Sequence, residues 1–126
     1  MCFQTASKPV WCFSDGLFEQ QNQHQREGDD GQPQALQLAV SSDMLVAGRH
    51  FFEDADPAAL GHKALAVNLS DLAAMGAQPL AFTLALALPQ ADHAWLAAFS
   101  QGLLALAGGH GCPLVGGDTK IGRAHV

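Results

Sequence analysis

The stretch from residue 56 to residue 89, DPAALGHKALAVNLSDLAAMGAQPLAFTLALALP, decides the fold. Asp56-Pro57 predicts a helix start, because Asp is a favoured N-cap and Pro fits the first helical position. The helix should run to about Met75, where Gly76 supplies the residue that follows a helix end. From Leu80 to Leu88, bulky side chains alternate with Ala and Thr, and this period of two predicts a strand. Since neither face of that strand is charged, both faces must be covered.

Further elements flank this stretch on both sides. Leu36–Ser42 is a short apolar run that predicts a strand ending just before Asp43. Asp92 is placed to cap a second helix, from His93 to about Ala107. Cys112–Val115 predicts a last strand, which opens into Gly116-Gly117-Asp118-Thr119. The order strand, helix, strand, helix, strand indicates an α+β class with α/β-type alternation.

Residues 1–34 differ in composition from residues 35–126. They are rich in Gln, with acidic and glycine residues, and they show no apolar period of 2 or 3.6. We therefore interpret residues 1–34 as mostly irregular or mobile, and residues 35–126 as the folded domain. A few apolar side chains in the first segment could still dock on the core as a short element: Trp11, Phe13, Leu17 and Phe18.

Length and charge restrict the function. The chain of 126 residues is long enough for one domain, and its net charge of −6 argues against nucleic acid or an acidic membrane as a partner. Three cysteines without paired spacing predict reduced thiols and a cytoplasmic protein. The Ala- and Leu-rich stretches are interrupted by Asp, Pro and Gly, so they predict a protein core and not a membrane span.

Three carboxylates are candidates for a divalent-cation site. Asp43 and Asp118 are expected just after strands, and Asp71 lies inside an apolar stretch of the first helix, flanked by Leu69, Ser70, Leu72 and Ala73. Carboxylates that converge from several elements suit Mg²⁺, which takes oxygen ligands and leaves room for phosphate oxygens. Each acid also has a simpler interpretation: Asp43 and Asp118 could form turns, and Asp71 could lie on a solvated helix face.

Two basic side chains are further candidates. His50 lies in a loop before Phe51-Phe52, where it could contact a ligand beside an aromatic wall or could simply be a surface histidine. Lys63 lies in the first helix and could pair with a phosphate, although a solvated helix face is the commoner case. Cys112 is most simply a small buried residue.

Three blocks of sequence together resemble thiamine-monophosphate kinase. They are SSDMLVAGRHF at 41–51, KALAVNLSDLAAMGA at 63–77 and GGDT at 116–119. The second block is typical of the wider superfamily that contains aminoimidazole-ribonucleotide synthetases, and the first indicates the thiamine enzyme within it. The resemblance covers about residues 36–122 and implies the N-terminal domain of that fold, a mixed sheet with helices on one face, here incomplete.

The resemblance implies an activity and a set of site residues. The family uses ATP and several Mg²⁺ ions to phosphorylate thiamine monophosphate, giving thiamine diphosphate, and its N-terminal domains pair as a homodimer across a two-fold axis. It implies that His50 contacts thiamine monophosphate and that Gly117-Asp118 meets ATP. The implied Mg²⁺ ligands are Asp43, Asp71 and Asp118, with Ser41 and Ser42 at the same site.

The chain departs from the family pattern in two places. The family has a Gly-Asp-Asp motif whose second acid binds metal, and Gly28-Asp29-Asp30 matches it without the strand that should follow. Asp30 is therefore either a further metal ligand or a chance match. The chain also stops at Val126, so the C-terminal domain is expected to be absent and the isolated chain to have little or no activity. The alternatives are a catalytically inactive, truncated remnant that only folds, dimerises or binds partners, and a sister enzyme of the superfamily.

Overall fold

The computed structural model describes residues 38–122 in full and residues 11–20 and 37 for their backbone. These residues form four strands and two helices. In chain order the elements are β1 Trp11–Gln20, β2 Gln37–Val46, α1 Pro57–Ala74, β3 Gln78–Leu88, α2 His93–Gly109 and β4 Leu114–Ile121. Neither helix in this part of the chain is long and apolar enough to cross a membrane.

The strands form one mixed sheet in the order β2-β1-β3-β4. Strand β1 runs antiparallel to both of its neighbours, and β3 runs parallel to β4. A parallel pair needs a crossover connection, and α2 supplies it. The predicted α+β class, with a mixed sheet, is confirmed.

Both helices begin where the sequence predicts, and α1 ends there too, whereas α2 continues two residues past the predicted Ala107, to Gly109. Asp56 caps α1 by accepting a hydrogen bond from the backbone N–H of Ala59 at 2.8 Å, and Pro57 occupies the first turn. Asp92 caps α2 through two such bonds. After α1, Gly76 adopts a φ of 70°, a left-handed conformation that favours glycine.

The hydrophobic core lies between the helices and one face of the sheet. On β3 the bulky residues Phe82, Leu86 and Leu88 are buried, together with Leu45 of β2. Ala77 and Cys112, next to helix ends, and residues of both helices complete one continuous cluster. The helical members are Leu60, Ala64, Leu65, Leu72, Phe99, Leu103 and Ala107. The opposite face of β3, which carries Ala81, Thr83, Ala85 and Ala87, has no helix over it among the described residues. We call this side of the sheet the open face.

The two helices touch through their backbones. A Cβ atom at Gly61 of α1 would lie 2.1 Å from the carbonyl oxygen of Phe99, and one at Gly102 of α2 would lie 1.9 Å from that of Ala58. Both distances are below any real Cβ contact. These glycines therefore set the separation of the helices.

Residues 11–20 correct part of the interpretation of residues 1–34 as mostly irregular or mobile, whereas residues 1–10 and 21–34 lie outside the described part of the chain. Residues 11–20 form β1, which is paired along its length with β2 and β3. The segment carries no clean alternation because Ser14, Asp15 and Gly16 lie in its middle. This segment forms a strand because its backbone pairs with a strand on each side, and not because its side chains alternate between apolar and polar.

The predicted ends of two other strands are wrong. Strand β2 continues to Val46, so that Ser41, Ser42 and Asp43 lie inside it and pair with residues 14–16 of β1. Strand β4 starts at Leu114 and contains the whole 116–119 segment. Position 117 of β4 requires glycine, because a Cβ atom there would lie 1.9 Å from the Leu84 carbonyl oxygen of β3.

Candidate functional site

One polar cluster joins β2 to α1. Side chains alternate along β2, and Ser41 lies on the face that carries the buried Leu45, toward the helix. Its Oγ donates a hydrogen bond to Oδ1 of Asn68 at 3.0 Å and lies 3.4 Å from Oδ2 of Asp71. Asn68 and Asp71 are neighbours on α1 because three residues make almost one helical turn. Asn68 is buried, whereas Asp71 is exposed at the rim.

Asp43 lies beside this cluster. It follows Ser41 by two residues on the same face of β2, about 7 Å along the strand. Its carboxylate is exposed and accepts a hydrogen bond from the backbone N–H of Met44 at 2.7 Å. Two carboxylates and one hydroxyl, from Asp43, Asp71 and Ser41, therefore lie at one edge of the sheet. These are hard oxygen ligands of the kind that Mg²⁺ takes, so the donor set fits that ion.

The third predicted acid, Asp118, lies elsewhere. It is paired with Ala85 of β3, so its side chain is on the open face, opposite to that of Ser41 and Asp43. It also lies on β4, at the other edge of the sheet from β2. Its carboxylate forms an exposed ion pair with Lys120 at 2.9 Å. Within residues 37–122, no three His, Cys, Asp or Glu side chains are grouped to hold a metal ion.

The premise that Asp43 and Asp118 follow strand ends is wrong, because both lie inside strands. Of the other predicted ligands, Ser42 alternates with Ser41 and is exposed on the open face. Asp30 lies outside the described residues. The structure therefore brings Ser41 and Asp71 together and places Asp43 two residues farther along the same face of β2, and it does not bring Ser42 or Asp118 to them.

His50 lies in a tight turn after β2. Its Nδ1 accepts a hydrogen bond from the backbone N–H of Val46 at 3.0 Å, so the neutral imidazole carries its proton on Nε2. Its carbonyl oxygen accepts a bond from Nζ of Lys63 at 2.6 Å, which ties the turn to α1. Lys63 thus holds the His50 turn in place, a role that sequence reasoning did not assign to it.

Two residues behave as buried structural elements. Cys112 is almost completely inaccessible, as predicted, and desolvation by burial raises the pKa of its thiol. Asn68 is the one polar side chain among the buried residues that the structure describes. The sequence analysis did not anticipate its burial. The signal was its spacing from Leu65 and Leu72, three and four residues away on the same apolar helix face.

This sheet, with its two helices and acidic rim, belongs to a known class of domain. Residues 28–125 match the family model for the N-terminal domain of AIR synthase related proteins, and the chain is a member of that family. Within it, the chain is similar to thiamine-monophosphate kinases. It is 59% identical to the enzyme of Salmonella typhimurium over 90 residues, which cover 71% of this chain and 28% of the relative.

Other relatives agree. The thiamine-monophosphate kinase of Buchnera aphidicola subsp. Schizaphis graminum is 42% identical over 109 residues, which cover 83% of this chain and 34% of the relative. A crystal structure of the kinase from Stenotrophomonas maltophilia K279a superposes with a TM-score of 0.67 at 52% identity, over 69% of this chain and 28% of that one. The chain therefore spans about a third or less of the length of these relatives, and the resemblance seen in the sequence is confirmed.

Proposed function

We propose that this chain supplies the Mg²⁺-binding, N-terminal part of a thiamine-monophosphate kinase, which transfers a phosphoryl group from ATP to thiamine monophosphate. The observation that carries the proposal is the cluster of Ser41, Asp71 and the adjacent Asp43. It stands in a chain that is 59% identical to such a kinase over 90 residues. Phosphoryl transfer needs positioned positive charge more than covalent chemistry, and an acidic rim of this kind can hold that charge.

In this proposal each residue has a distinct role. Asp43, Asp71 and Ser41 hold Mg²⁺, which when bound neutralises charge on the phosphate oxygens of the substrates. His50 contacts thiamine monophosphate, and its fixed tautomer presents Nε2 as a donor, a form suited to a phosphate or hydroxyl oxygen. Gly117-Asp118 contacts ATP.

Ser42 and Asp118 are proposed as further metal ligands that act from the open face. They share this face with exposed apolar side chains on β2, of which Leu38 is 59% and Val40 60% accessible. A soluble monomer rarely exposes an extended apolar patch. We therefore propose a homodimer in which the open faces of two copies meet through an isologous contact.

Sedimentation at micromolar concentration tests the dimer. Val40→Glu should convert the dimer to a monomer because it places a charge in the contact. Leu104→Glu is the matched control, since Leu104 is 50% accessible on α2, away from the sheet. A wild-type chain that sediments as a clean monomer contradicts the dimer, and equal behaviour of the two variants contradicts the choice of face.

An activity assay tests the kinase proposal. Transfer of phosphate from ATP to thiamine monophosphate is measured for this chain alone and with the separately expressed C-terminal domain of the Salmonella relative. We expect little or no activity from the chain alone, and activity that depends on Asp71 when both parts are present. Turnover by the isolated chain at about 1–100 s⁻¹, the ordinary scale for kinases, would refute the first expectation.

A second candidate function is a non-catalytic module that folds and dimerises. The observation that favours it is the distance of Asp118 from the other acids, on the opposite face and edge of the sheet. It predicts a stable dimer that binds neither Mg²⁺ nor ATP. Titration of the wild-type chain with Mn²⁺, a spectroscopic substitute for Mg²⁺, separates the two candidates.

A further inference from the structure

The buried amide of Asn68 is the starting point. It is 0% exposed, and it lies on a face of α1 otherwise made of apolar side chains. Burial of an amide is costly unless its polar atoms find hydrogen-bond partners. Its Nδ2 donates to the carbonyl oxygen of Ala64 at 3.3 Å. Because a carbonyl can only accept, this bond fixes the amide orientation and turns Oδ1 toward Ser41.

The hydroxyl of Ser41 has one proton and two acceptors within reach. Oδ1 of Asn68 lies at 3.0 Å and Oδ2 of Asp71 at 3.4 Å. The first distance lies within the usual range for an O–H···O bond and the second lies beyond it. The proton therefore points inward to Asn68, and the oxygen lone pairs are left to face the rim beside Asp71.

We propose that Asn68 is a positioning residue that prepares Ser41 to bind a divalent cation. A hydroxyl coordinates a metal ion through its oxygen lone pair, so its proton must be directed elsewhere, and Asn68 accepts it. Without Asn68 the hydroxyl proton turns to Asp71. The Ser41 hydroxyl and one carboxylate oxygen of Asp71 then bind each other and not the cation. This inference rests on the proposed Mg²⁺ function of Ser41 and Asp71, and it assigns to Asn68 a role that acts only through Ser41.

A double-mutant cycle on the full chain tests the inference, with free Mn²⁺ measured by electron paramagnetic resonance. Asn68→Leu should raise the Mn²⁺ dissociation constant about 10- to 100-fold, the usual effect of losing a group that orients a metal ligand. In a Ser41→Ala background the same change should have no further effect. Leu65→Ala is the control: it opens a cavity in the same helix and should lower the Tm while leaving the Mn²⁺ affinity unchanged.

The outcomes distinguish this inference from the proposed function. If the wild-type chain binds Mn²⁺ but Asn68→Leu weakens binding equally in both backgrounds, Asn68 does not act through Ser41 and the inference is wrong. If the wild-type chain does not bind Mn²⁺, the metal function itself is wrong, and the inference falls with it. Should Asn68→Leu fail to fold, Asn68→Ala takes its place in the same cycle.

Discussion

The contact between the two helices supports the sharpest stability prediction. We expect Gly61→Ala to destabilise the fold, because its new methyl group would lie 2.1 Å from the backbone oxygen of Phe99. Any Cβ contact below 3.0 Å requires something to shift, and here the obstacle is backbone, which cannot rotate away. The helices must therefore move apart by about 1 Å. At that separation each atomic contact between them loses about a quarter to a half of its dispersion energy.

The expected size of this effect follows from two opposing contributions. Overpacking of a core costs about 1–3 kcal/mol, and the upper end applies because a backbone atom is in the way. Replacing glycine with alanine inside a helix returns about 1 kcal/mol of helix propensity. We therefore expect Gly61→Ala to lower the free energy of unfolding by about 2 kcal/mol, measured by urea denaturation.

Gly108→Ala is the matched control for this experiment. Gly108 lies in α2, and a Cβ atom there would meet nothing within 4 Å. Only the gain in helix propensity remains, so this variant should be as stable as the wild type or slightly more stable. If Gly61→Ala unfolds at the same urea concentration as Gly108→Ala, the backbones of α1 and α2 do not approach each other as closely as described.

Three other predictions address a cap, a thiol and a carboxylate. Asp92→Ala removes two bonds to the start of α2 and should cost about 1 kcal/mol in urea unfolding, whereas Asp92→Asn should retain most of that stability. Because burial raises the pKa of the Cys112 thiol in the folded protein, this thiol ionises at a lower pH in the unfolded chain than in the folded one. The free energy of unfolding should therefore fall as the pH rises above about 8.5. That slope should be smaller in Cys112→Ala; an identical slope would mean that the thiol is not desolvated. Asp71→Asn should weaken Mn²⁺ binding while changing the Tm little, since Asp71 is exposed, and a large fall in Tm with unchanged affinity would contradict this.

The sequence predicts the helices and β3 well because their signals are local. Asp56, Asp92 and Gly76 mark helix ends through side-chain or backbone geometry that needs no distant partner. The alternation of Leu80–Leu88 marks the face that carries the buried Phe82, Leu86 and Leu88, although Leu80 at the start of this run is 41% exposed. Such patterns can be interpreted without knowing what packs against them.

The parts that the sequence did not predict depend on distant backbone pairing. Residues 11–20 contain Ser, Asp and Gly, and they form a strand because β2 and β3 supply partners on both sides. For the same reason Asp43 and Asp118 lie inside strands, although each has the local signature of a turn. The register of strand pairing determines which face of the sheet each of these acids lies on, and hence which of them share a site. A shift of one residue would reverse it.

The central position of β1 in the sheet has a consequence for how the protein folds. Among the described strands, β1 comes first along the chain and must pair with both β2 and β3, and its partners in β3 are residues 78–87, far along the chain. Closing such a long loop costs entropy before any contact rewards it, so topology of this kind slows folding. We expect β1 and β2 to pair first and β3 to join only after α1 has formed, which leaves one edge of β1 open to foreign strands during synthesis.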